Sequence, residues 1–499
     1  MSNVRKHFYL VRIYKDDMKA LRIISCTVSI LLTAHLACAQ NLGLDFTLGN
    51  SGVVLDSSAT SGFKYANDVL LQPDGKILTV GNVASRYLPN GSLDNSFGQN
   101  GTVNSVGGSK CLLQTDGKIL LIGAYGSNPV VTRLLNDGSL DPTFGINGTA
   151  TGMVQNFYSD AVGALQPDGK IVVSGIVNQY DVGLWRIKSN GQVDSSFGIN
   201  GVVVTSNGNY TGNVAGIKIM PDGKIVIGGI GYNPQVFRSV MVMRLKPNGT
   251  FDSTLGGTGK IYPIIEDYCR DIKVQGDGKI LLPIGGLGAD ATILRLETDG
   301  SIDSAFGING FADVPNMRIF SLQIAPDGKL VCGGDDENDF VISRTKANGK
   351  GLDSTFGRNG RTSTNIGDNF DRIGGIVLQT DGKIIAAGRS EIDNWWSTTR
   401  LTLVRYLPNA PTIVQNLLRP NKLVSVFPNP AASSVQVDCT KLSVPGIAYQ
   451  IHNLQGQTVK TGAASTSRFT IDITQLLPAP YILCLQYSGQ TSTYSFIKQ

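Results

Sequence analysis

The sequence predicts an all-β chain: a seven-bladed β-propeller closed by its N-terminal strand and followed by a small C-terminal β-sandwich. Three observations carry this. An Asp-Gly-Lys turn flanked by short apolar runs recurs at Asp74, Asp116, Asp168, Asp222, Asp277, Asp327 and Asp381, at intervals of 42 to 55 residues. A second motif, Leu-Asp-x-x-Phe-Gly, alternates with it along the chain. Beyond residue 423 both motifs stop, and apolar and polar residues alternate with period two between glycines.

The first segment is a leader. From Met18 a basic stretch leads into the apolar run Ile23 to Leu36 and then Ala37-Cys38-Ala39 before Gln40. This is the order of a secretory signal peptide, over residues 1–39, with Met18 the expected start. The apolar run is too short to cross a bilayer core of about 30 Å, so no transmembrane segment is expected. His35-Leu36-Ala37 is a poor lipobox, and lipidation at Cys38 is not expected.

The repeats occupy residues 41–410. Asp-Gly between two apolar runs is a strong hairpin signal, and it is read here as a type I′ turn with positive φ at both central positions. About 20 residues on, each copy carries an Arg, then a second turn, then the Leu-Asp-x-x-Phe-Gly motif, as in Arg186, Asn190-Gly191, Asp194, Phe197 and Gly198. Two hairpins make four strands, and a repeated four-stranded unit of roughly 50 residues is a propeller blade.

The ends of this region close it. Leu44-Asp45-Phe46-Thr47-Leu48-Gly49 has no hairpin before it, and the last copy runs through Asp381 to Arg405 with no second motif after it. Joining the two halves completes a seventh blade and leaves no open edge. Arg405 is then expected to meet Asp45 as Arg186 meets Asp194. The recurring Arg and Asp are read as a structural tie between adjacent strands rather than a ring of ligand groups. These motifs resemble the delta-60 repeats, a group of bacterial β-propeller-like repeats; the resemblance implies the fold and brings no catalytic residues with it.

Residues 411–422, with Pro411 and Pro420, read as a linker. Residues 423–499 carry Phe427-Pro428-Asn429-Pro430, Asn453-Leu454-Gln455-Gly456, Ile471-Asp472-Ile473 and the terminal Phe496-Ile497-Lys498. This segment resembles the C-terminal sorting domain of the type IX secretion system of the Bacteroidetes group, with Pro428, Asn429 and Pro430 as its opening motif. Pro478-Ala479-Pro480 stands where that family usually has a Gly. The resemblance implies passage through the periplasm of a Gram-negative bacterium, handling by the type IX machinery, and a secreted or outer-surface-attached product.

Composition excludes several functions. The leader holds six Lys or Arg and two Asp, so of the net charge of +5 only about +1 belongs to the rest of the chain. Such a chain has no electrostatic reason to hold nucleic acid. His7 and His35 lie in the leader and only His452 remains, which excludes His-based catalysis or metal binding in the repeats. No cofactor and no metal are expected. Cys111, Cys269, Cys332, Cys439 and Cys484 form no disulfide framework; of the last two, a bridge is conceivable, and two buried free thiols are the expectation.

Ligand contact is expected in the variable loops opposite the Asp-Gly-Lys turns. The candidates are Trp395 and Trp396 with Tyr180, Tyr232 and Tyr268, aromatic side chains suited to sugar rings or protein partners. The reading is a surface binding protein for carbohydrate or protein. The alternative is a polysaccharide hydrolase or lyase using Asp68, Asp160, Asp271 or Asp371 at the channel rim, where solvated aspartates at strand starts are the plainer expectation.

Overall fold

The computed structural model describes residues 43–408 and 424–499, apart from 51, 57–62, 104–107, 127, 153–160, 208–211, 266, 286–289, 368–369, 392–398, 440–445, 454–457 and 488–489. The leader and the linker lie outside the described residues. Two compact units result, one holding Gly43–Pro411 and the other the C-terminal segment.

The first unit is built from four-stranded antiparallel sheets, seven of them among the described residues. In one, Val162–Leu165, Ile171–Val177, Asp181–Ile187 and Val202–Ser206 follow each other in chain order. The second strand of each sheet is almost wholly buried and the fourth partly exposed, so the apolar runs and the alternating runs of the sequence separate by position. One sheet breaks chain order: Val53–Asp56 pairs with Thr399–Tyr406, Val53 opposite Val404 and Asp56 opposite Leu401. Hydrophobic clusters join neighbouring sheets face to face. One joins the first complete repeat to the last, combining Ala66, Val69 and Ile77 with Ile385, Ala387 and Leu403. There the backbones come close enough that a side chain at Gly374 would meet the Ala66 carbonyl oxygen at 2.2 Å.

The hairpin turn differs from the type I′ expectation. Only the Gly of each Asp-Gly-Lys has positive φ, 83° at Gly75. Gly75 N–H donates to the Gln72 carbonyl and Gln72 N–H to the Lys76 carbonyl, closing a type I turn followed by a bulge at Gly. The reason is loop length: three residues, not two, separate the paired Gln72 and Lys76, and copies without the Pro, such as Gln114 to Lys118, close in the same way. Asp74 Oδ1 accepts from Lys76 N–H at 3.1 Å, so the recurring Asp acts within the turn itself.

The second unit holds two sheets. Ser425–Phe427, Ser434–Asp438 and Arg468–Asp472 form one; Thr458–Ala464, Ile447–His452, Ala479–Tyr487 and Gln490–Lys498 form the other. Val435, Val437, Ile471, Leu483, Leu485 and Phe496 fill the space between them. Asn429 of the Pro-Asn-Pro motif accepts from Ile497 N–H at 2.9 Å, which ties the start of this unit to its last strand. Of Pro478-Ala479-Pro480, the last two residues open the strand Ala479–Tyr487, Ala479 opposite Lys498 and Pro480 opposite Ile497. Cys439 is a buried free thiol, as expected of it, which excludes the bridge to Cys484.

Candidate functional site

The recurring Arg and Asp prove to be scaffold. In each described pair the Arg Nε lies 2.8 to 2.9 Å from the Asp Oδ2, as in Arg86 with Asp94 and Arg133 with Asp141. In all of these but Arg295 the guanidinium also reaches out of its own sheet. Arg244 donates to the Thr298 carbonyl at 2.5 Å and Arg344 to the Pro408 carbonyl at 2.6 Å, both in the second turn of the next sheet. Arg405 does the same to Pro89 at 2.8 Å. The motif Phe packs its ring under the guanidinium, 4.5 Å away at Phe97, Phe144 and Phe197. One residue thus ties a strand to its turn and one sheet to the next, which goes beyond the adjacent-strand tie expected.

The aspartates expected at the channel rim are not a solvated ring. Asp271 is buried; its Oδ2 accepts from Leu322 N–H at 2.9 Å in the next sheet, and Lys273 stands 3.1 Å away. Asp68 does likewise with Cys111 N–H at 3.1 Å. Asp371 is buried and accepts from Ile366 and Gly367 N–H at 2.7 and 3.1 Å. Burial pushes its carboxyl up to about 7 despite those two hydrogen bonds. Each of these carboxylates serves a backbone amide outside its own strand, that of Cys111, Leu322 or Ile366. Asp160, Trp395 and Trp396 lie outside the described residues.

A cavity of about 780 Å³ opens at the starts of the first strands, the end away from the Asp-Gly-Lys turns. Its wall takes the same repeat position from six sheets: Asn67, Ser109, Ala215, Arg270, Phe320 and Gly374. Arg372, Arg389, Lys110, Tyr65 and Asn213 complete its polar lining. Arg372 lies over the Phe320 ring at 3.9 Å and Arg270 over the same ring at 4.7 Å. Arg389 and Arg318 flank Phe370 at 6.0 and 5.5 Å. Burial and the neighbouring Arg270 and Arg389 pull the Arg372 guanidinium down to about 10, so it stays charged at neutral pH.

The aromatic candidates are not brought together there. Tyr268 borders the cluster, with Arg238 over its ring at 4.3 Å and Arg270 at 5.5 Å. Tyr232 packs edge-on against Phe237, and Tyr180 is exposed in a hairpin turn; none of the three lines the cavity. The cavity arginines escaped sequence reasoning. Their signal lay in the differences between copies: where other repeats carry Asn, Ser or Ala, one carries Arg270. Among the described residues no three His, Cys, Asp or Glu side chains gather to hold a metal ion.

An all-β fold of repeated four-stranded sheets with a cavity at one end is a β-propeller-type protein. The chain carries a beta-propeller domain of unknown function (DUF5122), matched at residues 72–97, 114–144, 166–197, 221–255 and 275–306, and a secretion system C-terminal sorting domain at residues 425–499. That tail marks it for export to the surface or beyond, and no helix among the described residues is long and apolar enough to cross a membrane. No curated protein matches the sequence. Among solved structures it is similar to PorZ, described as an essential surface component of the type IX secretion system of Porphyromonas gingivalis, at 9% identity over 86% of this chain and 68% of that one, TM-score 0.32. It is also similar to the extracellular domain of a putative hybrid two-component system from B. thetaiotaomicron, at 12% identity over 90% of this chain and 58% of that one, TM-score 0.38. Likenesses at these scores assign nothing further.

Proposed function

We propose that this chain is an exported surface binding protein: a seven-bladed propeller over residues 41–410, closed by its N-terminal strand, holding a carbohydrate or protein ligand without covalent chemistry. The pairing of Val53–Asp56 with Thr399–Tyr406 supports the closure, as does the reach of Arg405 to Asp45 and Pro89. In this reading residues 1–39 are removed on export, 411–422 are a linker, and 423–499 are handled by the type IX machinery.

The observation that carries the binding role is the cavity wall. A scaffold repeated for stability alone has no reason to vary one inward position from Asn to Ser, Ala, Arg and Phe, whereas variable groups on a rigid frame are how binding sites are made. A volume of about 780 Å³ falls in the range of small-ligand sites. The test is a glycan and surface-protein array probed with the full chain and with Ser109→Trp, which fills the cavity. Signal lost in Ser109→Trp with an unchanged Tm is expected; a signal indifferent to that substitution would place binding elsewhere.

A further inference from the structure

Three arginines at the cavity have no ion pair of their own; Asp335, whose charge acts on Arg270 and Arg372, is already paired with Arg318 at 2.5 Å. Among the described residues Arg270, Arg372 and Arg389 form no ion pair, while all seven repeat arginines pair with an Asp. No carboxylate stands among the cavity-lining residues.

Their arrangement is unfavourable unless something else is meant to sit there. Arg372 and Arg389 are directly opposite each other on paired strands, Asp371–Leu378 and Ile384–Glu391. Like charges in that position repel. Arg270 joins them from another sheet, held with Arg372 on the Phe320 ring. The ring fixes the planar groups by their faces and leaves their N–H edges for other partners. Nε of Arg270 and of Arg389 is buried with no hydrogen-bond acceptor. A buried donor without a partner costs free energy, and an anion would remove that cost and the mutual repulsion together.

The rest of the wall is neutral and hydrogen-bonding. Ser109 offers a hydroxyl, and Asn213 has a buried Oδ1 with no donor. Such groups match sugar hydroxyls, which an acidic peptide has few of.

Resting on the reading of the cavity as the binding site, we infer that its ligand is an acidic saccharide whose anionic group is held by Arg270, Arg372 and Arg389. Carboxylate and sulfate share the required chemistry; a guanidinium fork accepts either.

Calorimetric titration of the full chain tests this, with oligogalacturonate, its methyl ester, sulfated dextran oligomers, neutral dextran oligomers and poly-glutamate as probes. Oligogalacturonate or the sulfated oligomers are expected to bind, which of the two does so naming the anion, and neutral forms to bind about tenfold more weakly or worse. Arg372→Gln and Arg389→Gln should each cost about tenfold in affinity with no fall in Tm, because each relieves an opposed like charge. Arg270→Lys, which keeps the charge and loses the fork, should retain part of the affinity. Equal binding of acid and ester overturns the anionic assignment and leaves the cavity as the site. Binding of the acidic saccharide untouched by all three substitutions overturns the cavity reading itself. Binding of poly-glutamate alone, or of no probe, overturns the inference.

Discussion

Asp45 and Arg405 stand at opposite ends of the repeat region, yet Arg405 Nε lies 2.9 Å from Asp45 Oδ2, both side chains 6% exposed. Arg133 and Asp141 make the same contact within one continuous repeat at 2.8 Å. Removing one partner of such a buried pair costs about 3–5 kcal/mol. Asp45→Ala and Asp194→Ala should therefore lower Tm by similar amounts. Only Asp45→Ala should also raise susceptibility to limited proteolysis, because it loosens a seam with no covalent connection across it. Equal protease resistance in the two variants would remove the N-terminal strand from the closure.

Leu255 stands where the other described copies from Phe97 to Phe356 carry Phe, and Arg244 beside it lacks the ring contact that Arg86, Arg133, Arg186, Arg295 and Arg344 have. The surroundings repeat as well: Gly300 abuts Leu255 as Gly138 abuts Phe97. Leu255→Phe should gain about 0.5–1 kcal/mol by restoring the guanidinium-on-ring contact. Thermal denaturation reads it, and a lowered Tm would mean the space in that sheet is already filled.

The buried Asp371 makes stability depend on pH. Its carboxyl is raised by burial from 3.8 to about 7 in the folded chain. The folded state then keeps a proton that the unfolded state has released, so this contribution is complete below about pH 4 and fades as pH rises to about 7. Asp371→Asn should equal the parent near pH 4 and exceed it at pH 8 in denaturant midpoint. A difference that does not change with pH would sink the assignment.

The repeat aspartates act in the opposite sense. Burial alone would raise Asp141, but hydrogen bonds from Thr143 and the charge of Arg133 hold its carboxyl at about 2. Asp252 and Asp353 are held at about 2 in the same way, and Asp303, against its burial, by Lys279, the Ala305 amide and Arg295. Their stabilisation is present above about pH 4 and is lost as pH falls toward 2. Acid unfolding should begin below pH 4, and Thr143→Val should move its midpoint upward; an unmoved midpoint would show that Asp141 does not take part.

Export rests on the tail. A reporter carrying residues 1–39 and 424–499 should reach the outside of a type IX-competent cell, and the chain truncated before Val424 should stay in the periplasm. Fractionation decides it: a truncated chain found at the surface means another segment carries the signal.

Turn residues act over three or four positions, so the hairpins, their alternation with Leu-Asp-x-x-Phe-Gly and the orphan motif at Asp45 were legible from the sequence alone. So was the sorting tail, whose Pro428-Asn429-Pro430 is a contiguous string. The turn type was misread because Asp-Gly was taken as a two-residue loop, whereas three residues separate the paired Gln72 and Lys76. Asp271 was read as a solvated rim group because the amide it serves, that of Leu322, belongs to another sheet. The cavity was hidden for the same reason at larger scale. Arg270, Phe320 and Arg372 come from three different sheets, and nothing local marks any of them. Their convergence depends on how twisted sheets pack side by side, bringing equivalent positions of distant repeats to one place. Sequence alone determined which residues repeat, and therefore which serve the scaffold; only the tertiary structure decided which of the non-repeating ones face each other.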